Sequence, residues 1–201
     1  MIQHGGAGHS NGNVYIREFN EFYFLPDPEL LIRSHFPLDE NWQLTKKIYT
    51  LNEFEKWPDI HSNFYQCGFS NFFPEEGYFE LKDSNSTKFI IYGENIKEKG
   101  LMCSIYLLNE KKEKEEKEEG LSLINFYKDK IEIDCIFNKK GKYIIYFLGN
   151  KGDSFLYNQA LSYIVNVVND TKMPLSFPKA FDEGKNINII EPLYDNLKSG
   201  F

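Results

Sequence analysis

The sequence is poor in arginine and in long apolar runs, and both absences exclude classes of protein. Its 201 residues include only two arginines, Arg17 and Arg33, and the formal net charge is −7. Phosphate binding needs clustered positive charge, so this balance argues against a nucleic-acid partner. No apolar run approaches the roughly 20 residues of a membrane-spanning helix. The polar, glycine-rich start has neither the basic nor the apolar region of a secretory signal, so we expect a cytoplasmic protein.

Cysteine is also scarce. Cys67, Cys103 and Cys135 lie far apart, form no CxxC pair and are odd in number. This spacing predicts three small buried residues in strands, in a protein of a reducing compartment. The alternative, a catalytic thiol, needs a histidine partner and a helix start beside the cysteine, and neither pattern is present.

The histidines offer little support for a metal or catalytic site. All of them fall in the first 61 residues, and no Cys or carboxylate stands close enough to the His4-x4-His9 pair to complete a tetrahedral metal set. We therefore predict no catalytic residue, no metal ligand and no cofactor. The histidines are His4, His9, His35 and His61.

The chain does have an apolar and aromatic composition that supports a packed core. Hydrophobic residues make up 41% and aromatic residues 16% of it. Beyond residue 61, short Phe-, Tyr- and Ile-rich runs alternate with turn residues, and 130–137 alternates apolar and acidic residues as a half-buried strand does. About seven or eight strands with few helical patterns predict a mostly β fold, an antiparallel sandwich of immunoglobulin-like type. The predicted strands are 63–73, 78–81, 88–92, 101–108, 121–127, 130–137, 142–148 and 155–168.

Helices are predicted only before this region. Asp27 can cap a helix that has Pro28 in its first turn, and Thr50-x-x-Glu53 has the form of a capping box. The first dozen residues predict a turn-rich loop. The run 110–119, which contains only Glu and Lys, predicts a solvated, flexible hairpin extension.

Aromatic residues could instead form a sugar-binding platform on a sandwich face. In a small sandwich such rings usually fill the core, and we favour that interpretation. The candidates are Trp42, Trp57, Tyr65, Phe72, Phe73 and Tyr78.

Residues 19–29 (FNEFYFLPDPE), then His35-Phe36-Pro37 and 41–44 (NWQL), resemble a segment of the kyphoscoliosis peptidase and hillarin family. In that family the segment follows a transglutaminase-like domain, and 137–143 (FNKKGKY) is similar to its immunoglobulin-like module. The resemblance does not carry the catalytic residues. In the family the triad Asp comes just before a Trp-Gly-Ala-Gly stretch. Gly6-Ala7-Gly8 matches the end of that stretch, but Gly5 occupies the position of the Trp, and Ile2 falls roughly at the position of the Asp.

The resemblance implies a region C-terminal to a catalytic core. We expect residues 1–60 to be the edge of a transglutaminase-like domain plus a helical linker, 61–170 a sandwich, and 171–201 the start of a second, truncated module. The implied function is a non-catalytic protein-interaction module with a cytoskeletal partner. The alternative is the accessory part of a Cys-dependent peptidase or transglutaminase-like enzyme with its catalytic domain upstream. The sequence leaves the oligomeric state open.

Overall fold

Two compact units make up the chain, Met1–Phe54 and Glu55–Phe201. The computed structural model describes residues 8–11, 14–17, 21–94, 96, 100–109, 114–151, 156–171 and 175–177.

The first unit combines one hairpin with short helices. Strand β1 (Gly8–Asn11) pairs antiparallel with β2 (Val14–Arg17), so the expectation of a loop over the first dozen residues is wrong for 8–11. Backbone pairing, which the glycine-rich composition does not reveal, stabilises this segment. The helices that follow are short: a 3₁₀ turn at Glu21–Tyr23, α1 at Pro28–Leu31, a 3₁₀ turn at Glu40–Trp42 and α2 at Leu51–Phe54.

The predicted helix starts are confirmed. The Asp27 carboxylate accepts a hydrogen bond from the backbone N–H of Glu29 at 2.9 Å, and Pro28 opens α1. At α2, the backbone N–H of Thr50 donates to Glu53 Oε2 at 2.8 Å, and the N–H of Glu53 donates to Thr50 Oγ1 at 3.2 Å. This is the reciprocal capping box. Hydrogen bonds from Lys47 and Thr50 lower the pKa of Glu53 to about 2.

The second unit is a sandwich of two sheets. Its strands are β3 (Asp59–Ile60), β4 (Phe69–Phe73), β5 (Tyr78–Leu81), β6 (Ser86–Gly93), β7 (Gly100–Asn109), β8 (Lys114–Glu118), β9 (Ser122–Phe126), β10 (Lys130–Ile136), β11 (Gly141–Asn150) and β12 (Asn158–Val167). One sheet has four strands in the order β4-β6-β10-β9. The other has six strands, with β11 between β12 and β7 and with β8 beside β7. Strands β3 and β5 both pair with β12. This strand order matches that of immunoglobulin domains, in which a four-stranded sheet packs against a second sheet whose main strands correspond to β7, β11 and β12.

The predicted immunoglobulin-like sandwich is therefore confirmed. Within the described residues, neighbouring strands of the sandwich pair antiparallel, except that β5 runs parallel to the second half of β12. The first half of that β12 edge pairs with β3.

Two local predictions are wrong. Residues 63–66 are not strand but belong to a helix, α3 (Ser62–Gln66), and β4 starts only at Phe69. Gly68, at φ +77°, makes the turn between them, and Phe64 points into the core from the helix with no exposed surface. In the run 110–119, residues 114–118 are not a flexible extension but form β8 beside β7, since backbone pairing does not depend on apolar side chains.

Aromatic rings fill the space between the sheets. The Phe89 ring centroid lies 4.7 Å from that of Tyr163 and 5.2 Å from that of Phe147, and all three side chains are buried. Immunoglobulin domains often bridge the sheets here with a disulfide, but β6 and β11 contain no cysteine. Ring packing and apolar burial therefore hold this sandwich together.

A tyrosine at the start of β11 fixes the corner before that strand. The side chain of Tyr143 is fully buried, and its hydroxyl donates to the backbone carbonyl of Lys139 at 2.8 Å. This is the tyrosine corner of immunoglobulin-type sandwiches. Burial raises the pKa of Tyr143 to about 12.

The segment after β12 is hydrogen-bonded across one end of the sandwich. The side-chain amide of Asn138 donates to the carbonyl of Leu175 and accepts from its N–H, both at 2.8 Å. Thr171 Oγ1 donates to the carbonyl of Phe137 at 2.8 Å, and buried Phe177 donates its N–H to Gly120 at 2.9 Å. Most of the predicted second module, 172–174 and 178–201, lies outside the described residues.

Candidate functional site

The cysteines lie within the sandwich unit and not at a helix N-terminus. Cys67 and Cys135 have no exposed surface, and Cys103 is partly buried on β7. Cys67 follows the last residue of α3, so its predicted place in a strand is wrong, whereas Cys103 and Cys135 do lie in strands. Burial and a hydrogen bond with Cys103 raise the pKa of the Cys135 thiol well above its usual range. A buried, protonated thiol is a poor nucleophile.

The two histidines with described side chains are held by oxygen partners. His35 Nδ1 lies 2.9 Å from Ser34 Oγ, in the first unit. In the second unit, His61 Nε2 lies 3.1 Å from Asp59 Oδ2, and this hydrogen bond raises the pKa of His61 and lowers that of Asp59. The side chains of His4 and His9 lie outside the described residues.

Asp59 is the centre of a polar cluster at the edge of the six-stranded sheet. Its carboxylate accepts hydrogen bonds from His61, from Gln159 at 3.2 Å and from Ser162, which lies directly opposite on β12. Serine catalysis needs the histidine between the serine and the aspartate, but here the aspartate lies between the other two. The arrangement therefore fixes the β3–β12 pairing and does not activate Ser162 as a nucleophile.

Metal ligands and membrane spans are also absent from the part of the chain that the structure describes. No group of three or more His, Cys, Asp or Glu residues in it is placed to hold a metal ion. None of the helices within these described ranges is long and apolar enough to cross a bilayer.

The aromatic candidates separate into two groups. Phe72 is buried in the core, and Tyr65 packs against it, as predicted. Phe73 and Tyr78 are 54% and 49% exposed, so the core prediction is wrong for both, because their positions in β4 and β5 face outward. Trp42, in the first unit, is 71% exposed, so the core prediction is wrong for it as well. Trp57 is partly buried.

Large apolar side chains are unusually exposed in the first unit. Leu38 is 96% exposed and Leu25 86%, whereas Ile32 is buried. Single exposed apolar residues are common in proteins, and here five large ones fall within residues 24–44. We call this set the exposed apolar residues of the first unit: Phe24, Leu25, Leu38, Trp42 and Leu44.

The two outer faces of the sandwich differ in chemistry. On the four-stranded sheet, Lys88 Nζ lies 3.0 Å from Glu132 and 3.5 Å from Asp134, and Lys130 Nζ lies 2.6 Å from Glu132. Charged residues on central strands keep that face solvated. On the six-stranded sheet the central strands present apolar and aromatic residues such as Ile144 and Tyr106, beside the polar pair Lys142 and Asn166.

A comparison against protein families agrees with this fold. The family model described as "KY-like, immunoglobulin-like domain" matches residues 51–178. The chain belongs to this family. The immunoglobulin-like domain of the KY-like family is not itself a catalytic domain, and the resemblance seen in the sequence is confirmed.

Curated relatives of this KY-like chain are larger proteins. It is 28% identical over 145 residues to the kyphoscoliosis peptidases of Mus musculus and of Homo sapiens, a match that covers 72% of this chain and 20% of each relative. It is 41% identical over 73 residues to hillarin of Drosophila melanogaster, which covers 36% of this chain and 8% of hillarin. The match thus spans about a fifth or less of the relatives' length.

Sequence reasoning missed the Asp59 cluster and the apolar outer face. The cluster joins residues about 100 positions apart, and only the register of β3 on β12 brings them together. The apolar face had a visible signal, because residues 142–148 are apolar at nearly every position, on both sides of the strand. That pattern predicted a strand over 142–148 but not that one of its faces is partly exposed.

Proposed function

We propose that this chain is a non-catalytic protein-interaction module that acts in the cytoplasm and binds a cytoskeletal protein. The exposed apolar residues of the first unit carry the proposal, because an apolar surface of this density in water gains free energy when a partner covers it. Trp42 is the strongest single contributor we expect, since tryptophan is enriched among residues that dominate binding energy. The resemblance to the kyphoscoliosis peptidase and hillarin family supplies the cytoskeletal class of partner.

The positions of the thiols support a module without its own chemistry. Cys67 and Cys135 are fully buried, and the pKa of Cys135 is raised. Of the two histidines with described side chains, His61 pairs with Asp59 and His35 contacts Ser34. A Cys–His–Asp triad needs an accessible thiol beside a histidine, and the described residues provide no such pair.

Co-sedimentation with purified filaments tests the proposal. The full chain is spun with actin filaments and, separately, with microtubules, and we expect it to pellet with one of them. The double variant Trp42→Ser with Leu44→Ser removes two exposed apolar side chains and should reduce pelleting at least tenfold. Phe73→Ser removes an exposed aromatic side chain from the second unit and serves as the matched control. Failure of the wild type to pellet with either filament would contradict the proposal, as would a double variant that binds like the wild type.

A second candidate function is the accessory part of a Cys-dependent peptidase or transglutaminase-like enzyme. The observation that favours it is the match to kyphoscoliosis peptidase of Mus musculus, which covers 20% of that relative. The transcript upstream of the Met1 codon provides the test. An in-frame segment that encodes a Cys and a His of a transglutaminase-like domain would support this candidate, and a stop codon without such a segment would exclude it.

A further inference from the structure

Two cysteines face each other across the core of the sandwich. Cys103 pairs directly with Phe147 on β11, which is fully buried, so both side chains point between the sheets. Cys135 lies on β10 of the other sheet and has no exposed surface. The two thiols are close enough to hydrogen-bond to each other. The pair therefore connects β7 of the six-stranded sheet with β10 of the four-stranded sheet.

This pair lies next to the place of the usual immunoglobulin disulfide. That disulfide joins the strands that correspond to β6 and β11, where Phe89 and Phe147 are in ring contact instead. Strand β10 pairs with β6, and β7 pairs with β11, so each cysteine lies one strand to the side. A bond between the two cysteines would join the same two sheets.

The two sulfurs differ in their access to solvent. Among the described residues, β8 pairs with 105–109 of β7, so Cys103 lies in the half of β7 that β8 does not cover. Cys103 is partly exposed, whereas Cys135 is fully buried. A small oxidant can therefore reach Cys103 from solvent, and Cys135 reacts with a group that Cys103 already carries.

We propose that hydrogen peroxide oxidises Cys103 and Cys135 to a reversible disulfide that locks the two sheets of the sandwich together. In the first step the Cys103 thiolate attacks one peroxide oxygen, the O–O bond breaks, and a sulfenic acid forms while hydroxide leaves. In the second step the Cys135 sulfur attacks the Cys103 sulfur, the S–O bond breaks, and the hydroxyl leaves as water with the Cys135 proton. One peroxide thus oxidises both sulfurs, and a thiol reductant reverses the reaction.

The spacing of the sheets makes such a bond easy to reduce. Facing sheets lie about 10 Å apart, whereas a disulfide holds its two Cα atoms about 5.5–6 Å apart. The bond therefore draws β7 and β10 together and stores strain, and strained disulfides are the labile, regulatory ones. Such a bond forms when peroxide is present and is reduced again in a reducing compartment.

A count of free thiols after oxidation tests the inference. The full chain is treated with hydrogen peroxide and denatured in an alkylating reagent, and its mass is measured with and without dithiothreitol. We expect the wild type to keep one of its three alkylatable thiols and to regain the other two on reduction. Cys67→Ser, the matched control, should still form the bond, whereas Cys103→Ser and Cys135→Ser should not. Far-UV circular dichroism checks that each variant is folded.

A trap for the intermediate separates the roles of the two cysteines. In Cys135→Ser the sulfenic acid of Cys103 has no thiol to condense with, so dimedone should label it. In Cys103→Ser dimedone should label nothing, because peroxide does not reach Cys135 in the folded chain. A dimedone label on Cys135 in that variant would overturn the assigned order of the two steps.

Urea unfolding measures the locking effect. The bond closes the chain from 103 to 135 into a loop and so restricts the unfolded state. The oxidised wild type should therefore unfold at about 1 M more urea than the reduced wild type. Peroxide treatment of Cys135→Ser should give no such increase. An oxidised wild type that is no more stable than the reduced one would overturn the locking role.

Other results of the thiol count would overturn the inference as a whole. These are a wild type that keeps all its thiols, a disulfide that includes Cys67, and a disulfide that joins two chains. The oxidation concerns the second unit, whereas filament binding is assigned to exposed residues of the first unit. A chain that forms the bond but pellets with no filament would therefore refute only the proposed function.

Discussion

Replacement of Tyr143 by Phe isolates one hydrogen bond of the sandwich. The ring stays in its buried place against Phe137, 4.8 Å away between centroids, and only the hydroxyl that donates to Lys139 is lost. A hydrogen bond of this kind contributes about 0.5–1.5 kcal/mol, and the carbonyl left without its donor adds to the loss. We expect a decrease of about 1–2 kcal/mol in the free energy of unfolding.

Urea unfolding followed by far-UV circular dichroism gives the measurement. With a denaturant dependence of about 2 kcal/mol per M, the midpoint should fall by about 0.5–1 M. Wild type and variant are compared at one protein concentration, because any self-association would make the midpoint depend on concentration.

Tyr92→Phe provides the matched control for this experiment. Tyr92 lies on the outer face of the four-stranded sheet and is 37% exposed, so loss of its hydroxyl should change the free energy of unfolding by less than about 0.5 kcal/mol. The reasoning is refuted if Tyr143→Phe and Tyr92→Phe shift the midpoint equally.

Three other predictions concern the second unit. Because Asp59 raises the pKa of His61 above its ordinary value of 6.5, the pair stabilises the fold fully below that pH. His61→Gln should lower the free energy of unfolding by less than about 1 kcal/mol, because the pair is so exposed. Urea titrations should show that this difference shrinks from about pH 6 to 8. Cys67 and Cys135 should react with a thiol reagent no faster than the chain unfolds, and faster labelling would contradict their burial. Asn138→Ala should speed hydrogen exchange at 175–177 and leave β6 unchanged, whereas equal exchange would show that this asparagine does not hold these residues.

The sequence predicts the strands well because alternation depends on local residues. The alternating pattern over 130–137 and the apolar run over 142–148 are indeed β10 and β11. The capping box at Thr50 and Glu53 is equally local and forms as predicted. In each case the determining contacts lie within a few residues along the chain.

The errors arise where contacts between residues far apart in the sequence determine the local structure. Residues 63–66 have strand-like composition, but a single helical turn buries Phe64 in the core and lets the Asn63 side-chain amide donate to the carbonyl of Gly149 at 3.0 Å. Residues 114–118 are charged at every position, yet their backbone hydrogen-bonds to the edge of β7. The exposure of Trp42 and Tyr78 could not be read from their type, because aromatic residues fill cores more often than they face solvent.

Turnover by the purified full chain tests most directly whether it is a non-catalytic module. The chain is incubated with a fluorogenic peptide and, separately, with an amine donor and a glutamine-containing acceptor protein. The same assays use variants in which Cys67, Cys103 or Cys135 is changed to Ser. We predict no turnover above the rate without protein in any sample. Turnover by the wild type that one of these three substitutions abolishes would contradict the account and identify the nucleophile.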